Sequence, residues 1–128
     1  MTSRPERDDP FYPPRVLTQP TILPVPIVWS AHSPDSQTLL REELDLWIDW
    51  LTDRYRLDHR TVPDCWHDHP ELLEELSALH LAWQGAFATS ASPDAPLRWH
   101  EQFAAAINRL TDWVARTGCR PDGHRARR

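Results

Sequence analysis

The sequence has no lysine, few glycines and cysteines, and no long apolar run. Three glycines are too few for the glycine-rich loops that bind phosphates or dinucleotides. Two cysteines cannot form the disulfide framework of a small secreted domain. A membrane span needs about 20 consecutive apolar residues, and the first ten residues lack the apolar core of a signal peptide. We therefore expect a cytoplasmic protein whose cysteines are thiols.

The charge is distributed unevenly along a chain whose 128 residues are enough for one domain. Residues 36–117 contain 14 Asp or Glu against 7 Arg, whereas residues 118–128 contain 4 Arg against 1 Asp. An acidic body repels phosphates, so we expect no nucleic-acid binding except weak contacts through the basic tail. The exclusive use of arginine for basic residues is typical of a GC-rich genome and indicates source rather than role.

Proline defines an N-terminal arm. Eight of the thirteen prolines lie in residues 1–34, where they exclude a helix because proline fixes φ and lacks a backbone donor. We predict a partly disordered arm over residues 1–33. Its apolar strip, residues 22–29, favours an extended path. That strip either lies as a strap over its own domain, the interpretation we favour, or binds another protein.

Three amphipathic helices are predicted after the arm, over about 34–57, 70–88 and 93–117. Proline near the first position marks each start, and Gly118 is a plausible left-handed stop for the third. Apolar side chains recur at helical spacing in each segment. The sequence therefore predicts an all-α fold, a three-helix up-down-up bundle over residues 34–118, followed by a disordered basic tail, 119–128.

A run of cysteine and histidine allows two interpretations. Thiolate and imidazole are zinc ligands, and Cys65, His67, His69, Cys119 and His124 could form a Cys-x3-His, Cys-x4-His site. Alternatively, Cys65 and Trp66 turn inward, His69 caps the second helix and His67 is solvated. Tight zinc motifs such as Cys-x2-Cys are absent, so we expect the structural alternative, with no metal ligand and no cofactor.

Catalysis is not expected from these residues. A Cys/His hydrolase would also need an oxyanion hole, which a glycine-rich turn often supplies, and glycine is scarce here. Adjacent glutamates on the helices point in different directions and are typical of a solvated face. We therefore predict a non-enzymatic protein with no catalytic residue.

Surplus aromatic and imidazole side chains suggest a partner-binding surface instead. Seven tryptophans are many for this length, and edge aromatics are enriched at interfaces. Histidines beside a helix seam can form a pH-sensitive or ligand-binding contact, although they are more often hydrogen-bonded to a neighbour. The predicted partner-binding residues are Trp29, Trp50, Trp66, His67, His80 and His100.

Four segments resemble a family of small tryptophan-rich actinobacterial proteins associated with plasmids, phages and integrative elements. They are Trp47-x2-Trp50-Leu51-x3-Tyr55, Trp66-x2-His69-Pro70-Glu71, Glu75-Leu76-x-Ala78-Leu79-x2-Ala82-Trp83 and Trp99-His100. The resemblance covers roughly residues 44–104 and implies a helical domain that serves a mobile element, with no catalytic residue. The arm and the basic tail depart from the family pattern.

These observations favour a non-enzymatic helical module that binds a protein partner or a copy of itself. Two alternatives remain. One is a small zinc-stabilised domain built on the Cys65 and His69 cluster. The other is a DNA-accessory protein that uses the arginine-rich tail.

Overall fold

The computed structural model describes residues 25–119 and shows three helices. They are α1 (Pro34–Tyr55), α2 (Pro70–Ala86) and α3 (Ala95–Thr117), with 3₁₀ turns at Trp29–Ala31 and Trp66–Asp68. Within this range there is no β-strand, which confirms the all-α class. No helix in the described part of the chain is both long and apolar enough to cross a membrane.

Local chemistry explains most helix ends. The Ser33 hydroxyl accepts a hydrogen bond from the Ser36 backbone N–H at 3.2 Å, so Ser33 caps α1. Gly118 stops α3 in the left-handed region, with φ at 75°. The start of α3 lies two residues later than its predicted start because Ser92 donates to the Asp94 side chain at 2.8 Å instead of capping the helix.

The helices α2 and α3 are antiparallel neighbours, as their short connection predicts. Trp99 donates its indole N–H to the Leu79 carbonyl, while Arg109, further along α3, bonds Glu75, which lies earlier in α2. Contacts between α1 and α2 run differently, since Trp47 meets His80 and Trp50 meets Trp83.

In these two contacts the residue numbers of α1 and α2 increase in the same direction, as expected for parallel helices. The up-down order predicted for this pair is therefore not confirmed. The connection over residues 56–69 instead returns along α3, where Thr61 bonds Thr111 at 3.2 Å. An extended chain spans about 3.3 Å per residue against 1.5 Å in a helix, which makes this connection long enough to run back along the bundle. The starts of α1 and α2 and the end of α3 therefore share one end of the fold.

Tryptophan dominates the core between the helices. Trp47 and Trp99 are almost completely buried, and Trp99 stacks on Phe103 with ring centroids 4.8 Å apart. Such rings contribute large buried areas to a small core. The buried hydrophobic cluster is Trp29, Leu44, Trp47, Ile48, Leu51, Val62, Trp66, Leu72, Leu76, Leu79, Trp83, Trp99, Phe103, Ala106, Leu110 and Val114.

The described part of the arm packs on the protein's own helices. Trp29 is buried and donates its indole N–H to the Ser77 hydroxyl of α2 at 3.2 Å. The Gln37 amide of α1 donates to the carbonyl oxygens of Trp29 and His32. These bonds support the strap interpretation at Trp29, the last residue of the 22–29 strip, whereas residues 1–24 of the arm and 120–128 of the tail lie outside the described residues.

Candidate metal centre

Cys65, His69 and Cys119 converge at the end of the fold where α2 begins and α3 ends. The Cys65 Sγ lies 3.6 Å from His69 Nε2, and the Cys119 Sγ lies 3.3 Å from the same nitrogen. All three ligand atoms lie within 4.8 Å of one another. Because Cys119 is 50 residues from His69, folding rather than sequence proximity creates this cluster.

The local backbone aims these side chains at each other. Cys65 precedes the 3₁₀ turn Trp66–Asp68, and the buried Trp66 ring anchors that turn in the core. His69 occupies the N-cap position of α2, but its side chain makes no capping bond and its ring nitrogen faces the sulfurs instead. Beyond α3, the Cys119 N–H donates to Thr117 Oγ1 at 3.1 Å, which holds the residue after the left-handed Gly118.

Burial and sulfur neighbours govern the protonation of the cluster. Desolvation raises the pKa of the Cys65 thiol to about 11, with further contributions from the hydrogen bond and charge of Cys119. The Cys65 thiol is therefore protonated near neutral pH when no cation is present. A bound cation would have to displace that proton, as metal ions do when they bind thiolates.

The other two residues of the zinc hypothesis do not join this cluster within the described chain. His67 is exposed, with its Nε2 3.9 Å from Asp68 Oδ1, so it is solvated as the structural alternative predicts. His124 lies outside the described residues. The Cys-x3-His spacing was the signal for this site, and the absence of tighter motifs is what led the sequence prediction away from a metal.

Three of the six predicted partner-binding side chains lie inside the fold. Trp29, Trp66 and His80 are all buried. The turn that carries Trp66 folds inward onto the start of α2, as the structural alternative predicts for this residue. Buried rings offer no outer surface to a partner in this conformation.

His80 forms a neutral contact in the core. Its ring stacks on Trp47 with centroids 4.7 Å apart, and the Gln84 amide donates to its Nε2 at 3.1 Å. Burial lowers the pKa of His80 to about 4. The hydrogen-bonded interpretation of this histidine is therefore confirmed, and its titration lies well below neutral pH.

The remaining three predicted partner-binding residues keep exposed or half-buried surface. Trp50 is half-buried against Trp83, with ring centroids 5.4 Å apart. His100 is exposed and hydrogen-bonds the Tyr55 hydroxyl through Nε2 at 3.0 Å. Together with the exposed His67, their role in binding stays a prediction.

The outer face of α1 combines exposed leucine with acidic charge. Leu39 is 63% exposed and Leu46 is 46% exposed, and a spacing of seven residues places them on one side of the helix. Glu42 and Asp53, both exposed, share that side. Partial burial raises the pKa of Asp49, and the nearby Asp45 and Asp64 raise it further. The helical spacing of apolar residues also predicts that Leu39 and Leu46 widen the inward face of α1, and their exposure shows that this prediction is wrong.

No protein-family model, curated protein or solved structure matches the chain.

Proposed function

We propose that the chain is a small zinc-binding helical domain in which Cys65, His69 and Cys119 hold a structural Zn²⁺ ion. The observation that carries this proposal is the convergence of two sulfurs and one imidazole nitrogen within 4.8 Å from two distant parts of the chain. Two thiolates and an imidazole are a common ligand set for zinc.

The distances suit a single tetrahedral ion. Zinc binds sulfur at about 2.3 Å and histidine nitrogen at about 2.0–2.1 Å, so a sulfur and a nitrogen on one tetrahedral zinc lie about 3.5 Å apart. The two sulfur-to-nitrogen distances here are 3.6 Å and 3.3 Å. Little rearrangement is needed for the three atoms to bind one ion.

The position of the cluster defines what zinc would do. Cys65 belongs to the connection between α1 and α2, His69 begins α2, and Cys119 follows α3. One ion would tie these three segments together at the end of the fold. Because the hydrophobic core is already extensive, we expect zinc to stabilise a folded domain rather than to create it.

Metal analysis tests this proposal directly. The purified chain should retain about one Zn²⁺ per molecule by mass spectrometry of the metal. Replacement by Co²⁺ should produce a thiolate-to-cobalt charge-transfer band. Cys65→Ser, His69→Gln and Cys119→Ser should each lose the metal, whereas the exposed neighbour variant His67→Ala should keep it. Substoichiometric zinc together with no change in melting temperature on adding zinc would contradict the proposal.

The same assay locates the fourth ligand. His124 follows Cys119 at the Cys-x4-His spacing that the sequence offers. If His124→Ala weakens zinc binding and changes the cobalt spectrum, the tail completes the shell. If the variant has no effect, water or another ligand occupies the fourth position.

A second candidate function is binding of a basic protein segment through the outer face of α1. The observation in favour is the pair of exposed leucines, Leu39 and Leu46, among acidic side chains. Two copies of this face would repel each other, so the complementary occupant is an arginine-rich amphipathic helix rather than a second copy.

A synthetic helical peptide of arginine and leucine is a suitable probe for that face. Titration should show salt-sensitive binding that Leu39→Ser with Leu46→Ser weakens at least tenfold. Leu97→Ser is the control, because Leu97 is at least as exposed as either leucine but lies on α3. Equal binding by all variants would contradict this role.

The remaining roles are proposals that rest on sequence alone. An accessory role in a mobile element is proposed from the family resemblance, and DNA binding is proposed from the arginines of the tail. The DNA role predicts steep salt dependence and loss of binding when residues 120–128 are deleted.

A further inference from the structure

We infer that Cys65 and Cys119 are also an oxidation site, at which a peroxide converts the two thiolates into a disulfide and releases the metal. The inference deepens the proposed function, because its metal-release step rests on zinc binding there. The formation of the disulfide itself does not depend on zinc.

The two sulfurs are already neighbours. Both approach the same His69 nitrogen, and all three atoms lie within 4.8 Å of one another. Neither cysteine lies within a long helix: Cys65 is in the connection before α2, and Cys119 follows the end of α3. The segments that carry them can therefore make the small approach that an S–S bond of about 2.05 Å requires without moving a helix.

Access also favours oxidation of the sulfurs. Cys65 is partly exposed, so a molecule as small as hydrogen peroxide can reach its sulfur, whereas His69 is only 3% exposed. A sulfenic acid formed on one cysteine would have the second sulfur beside it. An adjacent resolving thiol leads to a disulfide instead of further oxidation.

The reaction balances with peroxide as the oxidant. One thiolate attacks a peroxide oxygen, the O–O bond breaks, and a sulfenic acid and hydroxide form. The second thiolate then attacks the sulfenic sulfur, forming the S–S bond and expelling hydroxide. In total, two zinc-bound thiolates and one H₂O₂ give one disulfide, one Zn²⁺ and two hydroxide ions. The sulfurs are oxidised and the peroxide oxygens are reduced.

The site would therefore have two mutually exclusive states, one zinc-bound and one disulfide-bonded. In the reduced state, zinc links the start of α2 to the residue after α3. In the oxidised state, the disulfide makes the link and both thiolate ligands are lost, which leaves too few ligands to retain zinc. Oxidant would thus control metal content while the helices stay together.

The test uses the full-length, zinc-loaded chain. Addition of hydrogen peroxide in the presence of a chromogenic zinc indicator should release one zinc for each disulfide formed, with a mass loss of about 2 Da in the metal-free chain. Peptide mapping should identify a Cys65–Cys119 cross-link. Dithiothreitol followed by Zn²⁺ should restore the original zinc content.

Variants separate this inference from the proposed function. Cys65→Ser and Cys119→Ser should form no internal cross-link, and circular dichroism should show that both keep their helix content. His69→Gln should lose zinc yet still form the disulfide, since it keeps both thiols, but at a lower rate than the zinc-loaded chain because thiols react more slowly than thiolates. A cross-link in a chain that never binds zinc would overturn the proposed function alone. Stepwise addition of oxygen to either cysteine, without a cross-link, would overturn the oxidation site.

Discussion

Two buried histidines of this protein show how neighbours decide the chemistry of one residue type. His80 is 6% exposed and His69 is 3% exposed, so burial hardly distinguishes them. His80 stacks on an indole and accepts a hydrogen bond from an amide. His69 faces two sulfurs that come from different segments.

The difference separates a packing role from a binding role. In the aromatic region, His80 stacks on Trp47 and its Nε2 accepts a hydrogen bond from the Gln84 amide, so both the ring and this nitrogen are engaged in packing. In the sulfur region, the imidazole adds a third donor atom to two thiols. Soft donor atoms gathered at coordination distances indicate a metal site, whereas burial of a histidine by itself does not.

The largest expected effect comes from removing the Trp47 ring, on which His80 stacks. Trp47→Ala should reduce the free energy of unfolding by about 3–5 kcal/mol, because it leaves a cavity in the centre of the aromatic core. Urea denaturation measures the loss. Leu39→Ala, on the exposed face of α1, should stay within about 0.5 kcal/mol of the original protein. Similar effects from both variants would show that Trp47 is not a core residue.

Acid should destabilise the folded protein by protonating His80. Its folded-state pKa of about 4 lies below the ordinary value of 6.5, so the unfolded chain binds more protons between those values. Stability is therefore full above about pH 6.5 and falls as the pH decreases towards 4, with a total loss of about 3 kcal/mol.

Unfolding at pH 7.5 and pH 4.5, with chelator present to exclude metal effects, measures this loss. His80→Gln cannot be protonated and should lose most of the dependence in this range. His100→Gln is the control, because that ring is exposed and hydrogen-bonded to Tyr55. An unchanged pH profile in His80→Gln would argue against a neutral buried imidazole.

The aromatic region was largely predictable from sequence, for a physical reason. Helical periodicity identifies inward stripes, and Trp47, Trp83 and Trp99 lie in the core where their spacing predicts. Proline and glycine set helix ends locally, so α1 begins at Pro34 and α3 stops before Gly118. The relative direction of α1 and α2 was harder to predict, because their long connection permits a parallel or an antiparallel arrangement. No local residue distinguishes the two.

The sulfur region was predictable only in part. Cysteine and histidine at loose spacing indicated a candidate site, but its members depend on where α3 ends relative to the start of α2. Only the folded chain brings Cys119 to His69 and leaves His67 in solvent. The inward turn of Trp66 was predicted from the preference of tryptophan for burial rather than from periodicity, because a short 3₁₀ turn has no repeating pattern.

Metal removal should have a moderate effect in the sulfur region. At a free Zn²⁺ concentration 100 times the dissociation constant, binding stabilises the folded chain by about 2.7 kcal/mol. Chelation should lower the melting temperature accordingly in the original protein and in His80→Gln, but not in His69→Gln. A chelator effect that persists in His69→Gln would place the metal elsewhere.

The smallest expected effect comes from an ion pair that joins the same two helices as the sulfur cluster. Arg109 of α3 donates to Glu75 of α2 at 2.6 Å, and the arginine side chain is half exposed. Solvent screens such a pair, so Arg109→Ala should cost less than about 1 kcal/mol of folding free energy.

A double-mutant cycle with Glu75→Gln, with and without zinc, measures the coupling between the ion pair and the metal. If the coupling energy increases when zinc is removed, the ion pair and the metal both hold α2 against α3, because each of them limits the same separation of the helices. A coupling that does not change would mean that the two links act independently, and that the cluster influences only the end of the fold.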